Sequence, residues 1–407
     1  MKLKINKGHI KKSIKAPTSK SWANRFLIIA AIQKGPTIIE NISQSTDVKN
    51  MLLAFNQIGL KVETQNEKII IHNSFPACEN FSDDNIINLT TGDGGTTNRF
   101  LLALLSRGKK KYRLITSKEF SKRPNDDFFD VLVNMGVDLK VGKNDFWVEI
   151  QGNGAIKSLD RIEVDCEKST QFLSGLMLAY ADENIEFLPK NLKSSFDYIE
   201  MTKKLISDFK VGKKYFYNPV DFSSLSYPIA FVCDGEALNI ENCFEIDKFQ
   251  ADSFLFSFLE NKGVKFHFSK EGLKVDSTHF DLKPFLIECS GFPDLVPTLI
   301  FIACLCHGRS TLQGLEVLKH KESDRFREIC HLLKEFKIKY EVNHRLDEIS
   351  VFGPCKNINN CELNLPPDHR MIIIAAMFLK KFGNGEINQI QHVNKSYPTF
   401  FSDFNLS

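Results

Sequence analysis

Apolar and polar positions along the chain follow one pattern that recurs about six times. Each copy opens with a short polar segment, continues with an apolar run long enough for a buried helix, and then has a short β-rich piece. A polar loop and a second, amphipathic helix follow, such as QADSFLFSFLENKG in the fourth copy, and most of these helices lead into another strand. The polar segments with their apolar runs are SKSWANRFLIIAAIQKG, GGTTNRFLLALLSRGK, KSTQFLSGLMLAYADEN, FSSLSYPIAFVCDGE, FPDLVPTLIFIACLCHGR and DHRMIIIAAMFLKKFGNG.

The spacing of the copies predicts two globular α/β domains of about three copies each. Successive copies lie roughly 50 to 80 residues apart, which is longer than the period of a stacked solenoid. The pattern breaks at YNPVDF, where residues 218–222 separate the two halves. Because the first polar segment starts near Pro17, the strand-like N-terminus is free to pair with the later half. We therefore predict a discontinuous domain of residues 1–18 and 222–407, a second domain of residues 19–221, and a cleft between them.

Composition and charge exclude several classes of function. With 407 residues and 43% hydrophobic content, the chain is long enough for two buried cores. The net charge is only +3 and the basic residues are dispersed, which does not favour a nucleic-acid partner. No apolar stretch has the length of a signal peptide or a membrane span, so we expect a soluble, untargeted cytoplasmic protein. The ten cysteines lack metal-ligand spacing, which predicts free thiols and no metal site.

Cations and hydroxyl groups recur at the starts of the apolar helices. Lys20, Ser21 and Arg25 open the first of these, and Asp368, His369 and Arg370 open the last. The N-terminus of a helix has unpaired N–H groups and a partial positive charge, and it binds anions readily. Arginine binds both phosphate and carboxylate in bidentate fashion. The pattern therefore predicts a small substrate that carries phosphate and carboxylate groups.

Each of these segments also has a structural interpretation when it is taken alone. Serine and threonine at a helix start are common N-caps, and KESDR is compatible with a solvated helix entry held by local ion pairs. His369 is compatible with a simple helix cap. GDGGTT lacks the Gly-Lys-Ser/Thr ending of a P-loop, so it does not predict a nucleotide site. The functional interpretation depends on recurrence, since independent caps would not place cations at equivalent ends of several copies.

Eight motifs in chain order resemble those of the 5-enolpyruvylshikimate-3-phosphate synthase family. TSKSWANR resembles the family's SKSxxNR opening, GDGGTTNRF its GNAGTxxR segment, SKRP its arginine-proline loop and KSTQF its Ser-Ser-Gln-Phe segment. FPDLVPT, KHKESDRF, PPDHRM and NKSYPTFF resemble its PDxxxT, KExDR, DHRM and K-x-[FY]-P motifs. The resemblance covers nearly the whole chain. It implies a two-domain inverse α/β barrel, with three βαβαββ repeats around buried helices in each domain and an active site in the interdomain cleft.

The same resemblance implies two small-molecule substrates, shikimate 3-phosphate and phosphoenolpyruvate, and no metal or organic cofactor. It also implies a protein of the shikimate pathway without a nucleic-acid or membrane partner, which we expect to be a monomer. The residues implied for shikimate 3-phosphate are Lys20, Ser21, Arg25, Ser169, Thr170, Gln171, Ser195, Tyr198, Asp294 and Lys321. The residues implied for phosphoenolpyruvate are Lys20, Gly95, Arg123, Gln171, Glu322, Arg325, Arg370 and Lys395.

The implied reaction assigns roles to four side chains. The 5-hydroxyl of shikimate 3-phosphate attacks C2 of phosphoenolpyruvate while C3 receives a proton, and the tetrahedral intermediate then loses phosphate. Asp294 is the candidate base for the hydroxyl, and Glu322 is the candidate proton donor and acceptor at C3. Lys20 assists, and His369 is placed to stabilise charge. Because ligands come from both halves of the chain, we also predict that the domains close when both substrates bind.

The chain departs from the family pattern at a few positions. Asp93 stands where the family usually has Asn, Val317 where some members use Asn, and Lys319 where Arg is common. A carboxylate at position 93 would oppose anion binding by about 1 to 4 kcal/mol at 4 Å unless it is turned away or paired, for example with Arg99. In the family, a small residue at the position of Gly95 leaves room for the inhibitor glyphosate, so we expect sensitivity.

Two alternative functions remain open at this point. UDP-N-acetylglucosamine enolpyruvyl transferases share the fold and phosphoenolpyruvate, but they begin with Lys-Asn and usually carry a reactive Cys before the Arg-Pro loop. In this chain TSKEFSKRP has no cysteine. A catalytically silent anion-binding homologue is the second alternative, and the presence of a candidate acid, base and cations argues against it.

Overall fold

A computed structural model describes residues 2–79, 85–142, 146–152, 160–356 and 358–406; the side chains of residues 358–360 are not described. Its α-helices are α1 (Lys20–Ile32), α2 (Thr46–Gln57), α3 (Gly95–Leu105), α4 (Lys118–Ser121), α5 (Asp126–Asn134), α6 (Gln171–Ala179), α7 (Phe196–Lys210), α8 (Phe222–Val232), α9 (Phe254–Glu260), α10 (Val296–Ala303), α11 (Arg325–Glu335), α12 (His369–Phe382) and α13 (Phe400–Asp403). Short 3-10 helices span Ala251–Ser253, Glu316–His320 and Ile390–Lys395.

The β-strands alternate with these helices along the described ranges. They are β1 (Leu3–Ile5), β2 (Ser13–Ile14), β3 (Thr37–Glu40), β4 (Val62–Gln65), β5 (Lys68–Ile71), β6 (Ile87–Gly92), β7 (Lys111–Thr116), β8 (Asp138–Gly142), β9 (Trp147–Gln151), β10 (Arg161–Asp165), β11 (Glu186–Lys190), β12 (Tyr215–Tyr217), β13 (Ala237–Ile240), β14 (Lys265–Ser269), β15 (Gly272–Asp276), β16 (Leu286–Glu288), β17 (Gly308–Gln313), β18 (Lys339–Asn343), β19 (Glu348–Gly353), β20 (Ile358–Leu363) and β21 (Gly383–Ile387).

The chain divides into two compact units. The discontinuous unit consists of Met1–Pro17 and Val220–Ser407, and the continuous unit is Thr18–Pro219. The sequence analysis placed these boundaries after residues 18 and 221, within two residues of this division. Ser19 N donates to Pro219 O at 2.7 Å, so the two ends of the continuous unit are hydrogen-bonded to each other.

The described residues of the continuous unit form three sheets. Their strand orders are β12-β3-β5-β4, β6-β7-β9-β8 and β10-β11. In both four-stranded sheets one parallel pair, β3 with β12 or β6 with β7, adjoins an antiparallel hairpin. The third repeat has only a parallel pair among the described residues, and β12, which follows α7, joins β3 of the first sheet. The largely buried helices α1, α3 and α6 pack against one another inside this unit.

The discontinuous unit repeats this arrangement. Its sheets have the orders β14-β15-β13-β2, β16-β17-β19-β18 and β1-β21-β20. The N-terminal strands enter two of them, since β2 pairs with β13 and β1 pairs with β21. The buried helices α8, α10 and α12 pack together in the core. The two-domain inverse α/β barrel with repeats around buried helices is thus the fold of this chain.

The second helix of one repeat differs from its prediction. The segment QADSFLFSFLENKG was expected to form one amphipathic helix, but it begins with the 3-10 helix Ala251–Ser253 and α9 has only 7 residues. The polar side chains of Gln250 and Asp252 bond to the start of α8 and do not cap their own helix. Among the described residues, no helix has the length and apolar character needed to cross a membrane.

Candidate active site

The start of α1 carries three of the predicted side chains. Ser19 caps the helix, since its Oγ accepts from Trp22 N at 3.3 Å, and the cap leaves Lys20 and Ser21 in the first turn. Lys20 Nζ donates to Asp47 Oδ2 at 3.0 Å. The Asp47 carboxylate is 2% exposed, so this ion pair fixes the ammonium group of Lys20 at the helix start.

Arg25, one turn further along α1, is almost completely buried. Its guanidinium donates to Thr202 Oγ1 at 2.9 Å, to Ser21 O at 3.0 Å and to Tyr198 O at 3.1 Å. Burial lowers the pKa of Arg25 to about 10, which leaves the group charged at neutral pH. The structure therefore places Arg25, Ser21 and Tyr198 together, with the guanidinium linking α1 to α7.

Arg99 of α3 organises a second group of predicted side chains. Its Nη1 donates to Ser169 Oγ at 3.1 Å and to Gln171 Oε1 at 2.8 Å. Its Nη2 donates to Pro124 O at 2.9 Å, in the loop that carries Arg123. The guanidinium stacks on the Phe172 ring at 4.8 Å. One buried cation thus orients Ser169 and Gln171 at the start of α6.

Gly95 lies beneath the guanidinium of Arg123. A Cβ added at Gly95 would overlap Arg123 Nη1 and would lie 3.3 Å from Gln171 Oε1. Gln171 Nε2 also donates to Thr96 Oγ1 at 3.0 Å. The predicted residues Gly95, Arg123 and Gln171 are therefore neighbours.

Thr170 and Ser195 precede their helices without capping them through their side chains. Thr170 is the N-cap residue of α6, and Ser195 is the N-cap residue of α7. Both are buried, and neither side chain makes a capping hydrogen bond. Ser195 adopts a left-handed conformation with φ of 61°, which is uncommon for a residue other than glycine. Strained residues of this kind cluster at functional sites.

In the discontinuous unit, Arg325 binds three carboxylates at once. Its Nη1 donates to Asp294 Oδ1 at 2.8 Å, its Nη2 to Glu322 Oε2 at 2.6 Å, and its Nε to Asp368 Oδ2 at 2.8 Å. The guanidinium side chain is 1% exposed. Asp368 in turn caps α12, because its Oδ1 accepts from Arg370 N at 3.0 Å. Arg325 therefore fixes the candidate base and the candidate acid relative to each other.

Asp294 is surrounded by cations. Arg370 Nη2 donates to its Oδ2 at 2.9 Å, and Lys321 Nζ lies 3.8 Å from its Oδ1. Burial alone would raise the pKa of Asp294, but the charges of Arg370, Lys321 and Arg325 outweigh burial and hold that pKa well below its usual range. Burial lowers the pKa of Lys321, with Asp294 acting in the opposite direction. The carboxylate of Asp294 is consequently ionised at neutral pH.

Lys395 and His369 complete the predicted set. Lys395 is 4% exposed, and its Nζ lies 3.6 Å from Glu322 Oε1. His369 is buried in the first turn of α12, with Nδ1 at 3.9 Å from Asp368 Oδ1. We refer to the side chains of Asp294, Lys321, Glu322, Arg325, Asp368, Arg370 and Lys395 as the charged cluster. All of them belong to the discontinuous unit.

Across the ranges that the structure describes, no group of three or more His, Cys, Asp or Glu side chains is arranged to hold a metal ion. The ten cysteines are free, and eight of them are buried. Burial raises the pKa of Cys289 and Cys304, so these thiols are poor nucleophiles. The predicted site residues carry carboxylate, amine, guanidinium and hydroxyl groups.

Comparison with known protein families gives a match over nearly the whole chain. The sequence model of the family described as "EPSP synthase (3-phosphoshikimate 1-carboxyvinyltransferase)" matches residues 5–404. The chain belongs to the EPSP synthase family. The family assignment covers both units, so all motifs of the sequence analysis fall inside the matched range.

Individual relatives share about a quarter of their residues with this chain. A 3-phosphoshikimate 1-carboxyvinyltransferase of Buchnera aphidicola is 28% identical, over 97% of this chain and 94% of its own length. A chloroplastic 3-phosphoshikimate 1-carboxyvinyltransferase of Arabidopsis thaliana is also 28% identical, over 95% of this chain and 81% of its own length. The solved structure of an EPSP synthase from Acinetobacter baumannii has a TM-score of 0.73 at 22% identity, covering 99% of this chain and 97% of the other. At 22% identity, the similarity to this solved structure shows a shared fold.

Sequence reasoning gave no role to several side chains that organise these groups. Arg99 was considered only as a possible partner of Asp93, Asp368 was noted only as a polar residue at a helix start, and Asp47 received no role. An arginine inside an otherwise apolar helix run was the available signal for Arg99, because such a residue must find buried acceptors. The partners of Asp368 gave no local signal, since Arg325 lies 43 positions away.

Proposed function

We propose that this chain transfers the enolpyruvyl group of phosphoenolpyruvate to the 5-hydroxyl of shikimate 3-phosphate and releases phosphate. The observation that carries the proposal is that Asp294 and Glu322 are both bound to the guanidinium of Arg325. The reaction needs a base for a hydroxyl and an acid for a methylene carbon. Membership of the EPSP synthase family supports this reaction and its place in aromatic amino acid biosynthesis.

Residues of the continuous unit are proposed to bind shikimate 3-phosphate. The hydroxyl groups of Ser169, Thr170 and Ser195 stand at the starts of α6 and α7, where N–H groups and the helix dipole favour a phosphate. Arg25 and Gln171 add hydrogen-bond donors. Two features support this assignment. Arg99 orients Ser169 and Gln171. The N-cap residues Thr170 and Ser195 make no side-chain capping hydrogen bond.

Cations of the charged cluster are proposed to bind phosphoenolpyruvate. Arg370 and Lys395 are buried, where an ion pair with a substrate anion is weakened little by water. Arg123 and Lys20 are assigned to the same substrate from the resemblance. The resemblance also assigns Arg325 to phosphoenolpyruvate. Because its Nε, Nη1 and Nη2 all donate to carboxylates, we propose that it also orients Asp294 and Glu322.

Substrate binding is proposed to activate Asp294 as the base. In the absence of substrate, Arg370 is one of the cations that keep the pKa of Asp294 low, which makes this carboxylate a weak proton acceptor. A substrate carboxylate that draws Arg370 away would raise that pKa. Asp294 then accepts the hydroxyl proton as oxygen bonds to C2, and Glu322 delivers a proton to C3. Collapse of the tetrahedral intermediate breaks the C–O bond to phosphate, the leaving phosphate takes up the proton that Asp294 accepted, and the C3 proton returns to Glu322.

The test is phosphate release from phosphoenolpyruvate with either shikimate 3-phosphate or UDP-N-acetylglucosamine as acceptor. We expect release with shikimate 3-phosphate alone. Glu322→Gln should lower kcat by about 100-fold or more, the range of a lost general acid-base group. Glu316→Gln is the matched control, because the Glu316 side chain bonds to the nearby Lys319 and is mostly exposed.

Other outcomes would redirect the assignment. Release with the nucleotide sugar alone would favour the related enolpyruvyl transferase. Binding of shikimate 3-phosphate without release would favour the silent homologue. Monomeric state and domain closure on binding stay predictions, to be checked by light scattering and by small-angle scattering with and without both ligands.

A further inference from the structure

An acidic side chain outside the assigned set lies against the start of α8 in the discontinuous unit. Asp252 belongs to the 3-10 helix Ala251–Ser253, which Gln250 fastens to α8. Gln250 Oε1 accepts from Phe222 N at 2.9 Å, and its Nε2 donates to Val220 O at 2.8 Å. These two bonds fix the position of Asp252 beside the first turn of the helix.

The carboxyl of Asp252 is buried and only half satisfied. It is 2% exposed; its Oδ2 accepts from Ser223 Oγ, while Oδ1 has no hydrogen-bond partner among the described residues. Burial of an ionised carboxylate oxygen without a donor is costly. The protonated acid carries no charge and so avoids most of this cost.

One face of α8 connects Asp252 to the charged cluster. Ser223 and Tyr227 are four residues apart and therefore lie on the same face of the helix. Tyr227 Oη accepts from Arg370 Nη1 at 3.3 Å, and Arg370 Nη2 donates to Asp294 Oδ2 at 2.9 Å. Asp252 consequently stands near the arginine that is proposed to bind phosphoenolpyruvate.

The charges around Asp252 act in both directions. Burial, first, and then the negative charge of Asp294 raise the pKa of Asp252 to about 7, and Asp221 contributes in the same sense. Arg370 and the hydrogen bond from Ser223 oppose the rise. Asp294 itself stays ionised because Arg370, Lys321 and Arg325 surround it.

We propose that Asp252 is a positioning residue for phosphoenolpyruvate, and that its carboxyl must be neutral for Arg370 to offer its full charge to the substrate. The inference rests on the proposed function. When Asp252 ionises, its charge competes with the substrate anion for Arg370 and weakens binding. Asp252 acts through Arg370, so the binding step responds to its charge more than the chemical step does.

The first test compares the KM for phosphoenolpyruvate of the wild type and Asp252→Asn from pH 5.5 to 9. The amide has the shape of the neutral acid, and ionisations of the substrate cancel in the ratio of the two KM values. We expect the wild-type KM divided by the KM of Asp252→Asn to be near one below pH 6 and to rise to about three to ten above pH 8. The corresponding change in kcat should be smaller. Glu245→Gln is the control, because it removes an exposed acid from the segment between β13 and the 3-10 helix Ala251–Ser253. It should leave the pH dependence of KM unchanged.

A second variant should raise the pH at which the KM for phosphoenolpyruvate increases. Ser223→Ala removes the hydrogen bond that favours the ionised form of Asp252, so the rise in KM should shift to higher pH. If KM rises at the same pH in Ser223→Ala as in the wild type, a group other than Asp252 causes the rise, and the proposal is overturned.

Thermal unfolding supplies a readout that needs no turnover. The pKa of Asp252 is about 7 in the folded protein and near 4 in an unfolded chain, so the folded state binds more protons between these values. Its contribution to stability is therefore complete below about pH 4 and is lost as the pH rises towards 7. The melting temperature of Asp252→Asn relative to wild type should rise across this range and then level off.

The outcomes separate the two proposals. Turnover with a KM ratio that does not depend on pH, or a melting difference that does not depend on pH, would overturn the role of Asp252 alone. Absence of phosphate release by a folded wild-type protein would overturn the proposed function together with this inference.

Discussion

At the scale of single residues, Arg325 orients both candidate acid-base groups. Its planar guanidinium donates to Asp294, Glu322 and Asp368 in three directions, which an ammonium group cannot reproduce. We expect Arg325→Lys to keep the charge and lower kcat/KM by about 100-fold or more, because both candidate acid-base groups lose their orientation. Arg327→Lys, at an exposed position two residues away, is the control.

Phosphate release measures the activities of Arg325→Lys and of the control Arg327→Lys. Activity of Arg325→Lys within threefold of the wild type would show that Asp294 and Glu322 do not need this guanidinium. Circular dichroism and melting curves of each variant separate a local effect from unfolding.

Gly95 gives a second residue-scale prediction. A methyl group at this position would overlap the guanidinium of Arg123, a flexible side chain that is able to move away, and would contact Gln171. We expect Gly95→Ala to raise the KM for phosphoenolpyruvate by about tenfold, and to weaken inhibition by glyphosate if that predicted sensitivity holds, with little change in melting temperature.

Steady-state kinetics with and without glyphosate test the Gly95 prediction. Gly8→Ala is the control, since a methyl there meets only the end of the Lys380 side chain, at 3.4 Å. An unchanged KM for phosphoenolpyruvate in Gly95→Ala would mean that Arg123 does not need its present position.

At the scale of elements, a buried lysine joins the end of α9 to the segment before β16. Lys262 is 7% exposed, and its Nζ donates to Asp281 O at 3.0 Å and to Lys283 O at 2.6 Å. The ammonium also lies 5.6 Å from the rings of Phe280 and Phe285. Lys262→Met would leave two carbonyl groups without this donor, so we expect a loss of about 2 to 4 kcal/mol of unfolding free energy.

Denaturant unfolding of the Lys262 variant measures that loss. Lys265→Met, on the exposed side of β14, should change stability by less than about 0.5 kcal/mol. Equal stabilities of the two variants would assign Lys262 no structural role. Activity at 25 °C should be retained in both, because neither lysine belongs to the charged cluster.

At the scale of the whole molecule, the N-terminal 17 residues belong to the fold of the discontinuous unit. Ile5 and Ile14 are buried in its core, and β1 and β2 pair with β21 and β13. Removal of residues 1–17 would expose the edges of two sheets and part of the core. We expect the discontinuous unit to lose protection from hydrogen exchange and proteolysis while the continuous unit keeps it.

Hydrogen exchange followed by peptide mapping checks the truncation. A full-length chain with the exposed Lys12→Ala change is the control. Protection that is unchanged in β13 and β21 after truncation would contradict the role of the N-terminal strands. Protection lost equally in both units would contradict the expectation that the continuous unit keeps its structure without the N-terminal strands.

The repeats and the helix starts were determined by the sequence alone. Periodicity, capping residues and apolar runs act over a few neighbouring positions, so α1, α3 and α12 begin at or next to the polar segments that predicted them. The order of the motifs also indicated the family before any coordinates, since each motif is a short local pattern. The prediction of one continuous helix over Ala251–Ser253 and α9 was wrong, because the polar side chains of this segment bond to the start of α8.

The tertiary structure alone decided which charges meet. Arg99 reaches Ser169 and Gln171 across 70 and 72 positions, and Arg325 reaches Asp368 across 43. Such pairs depend on where the sheets bring the loops and on which groups lose contact with water, and neither is encoded in adjacent residues. The sequence therefore supplied the chemical groups of the candidate site, while burial and long-range packing selected their partners and set their ionisation.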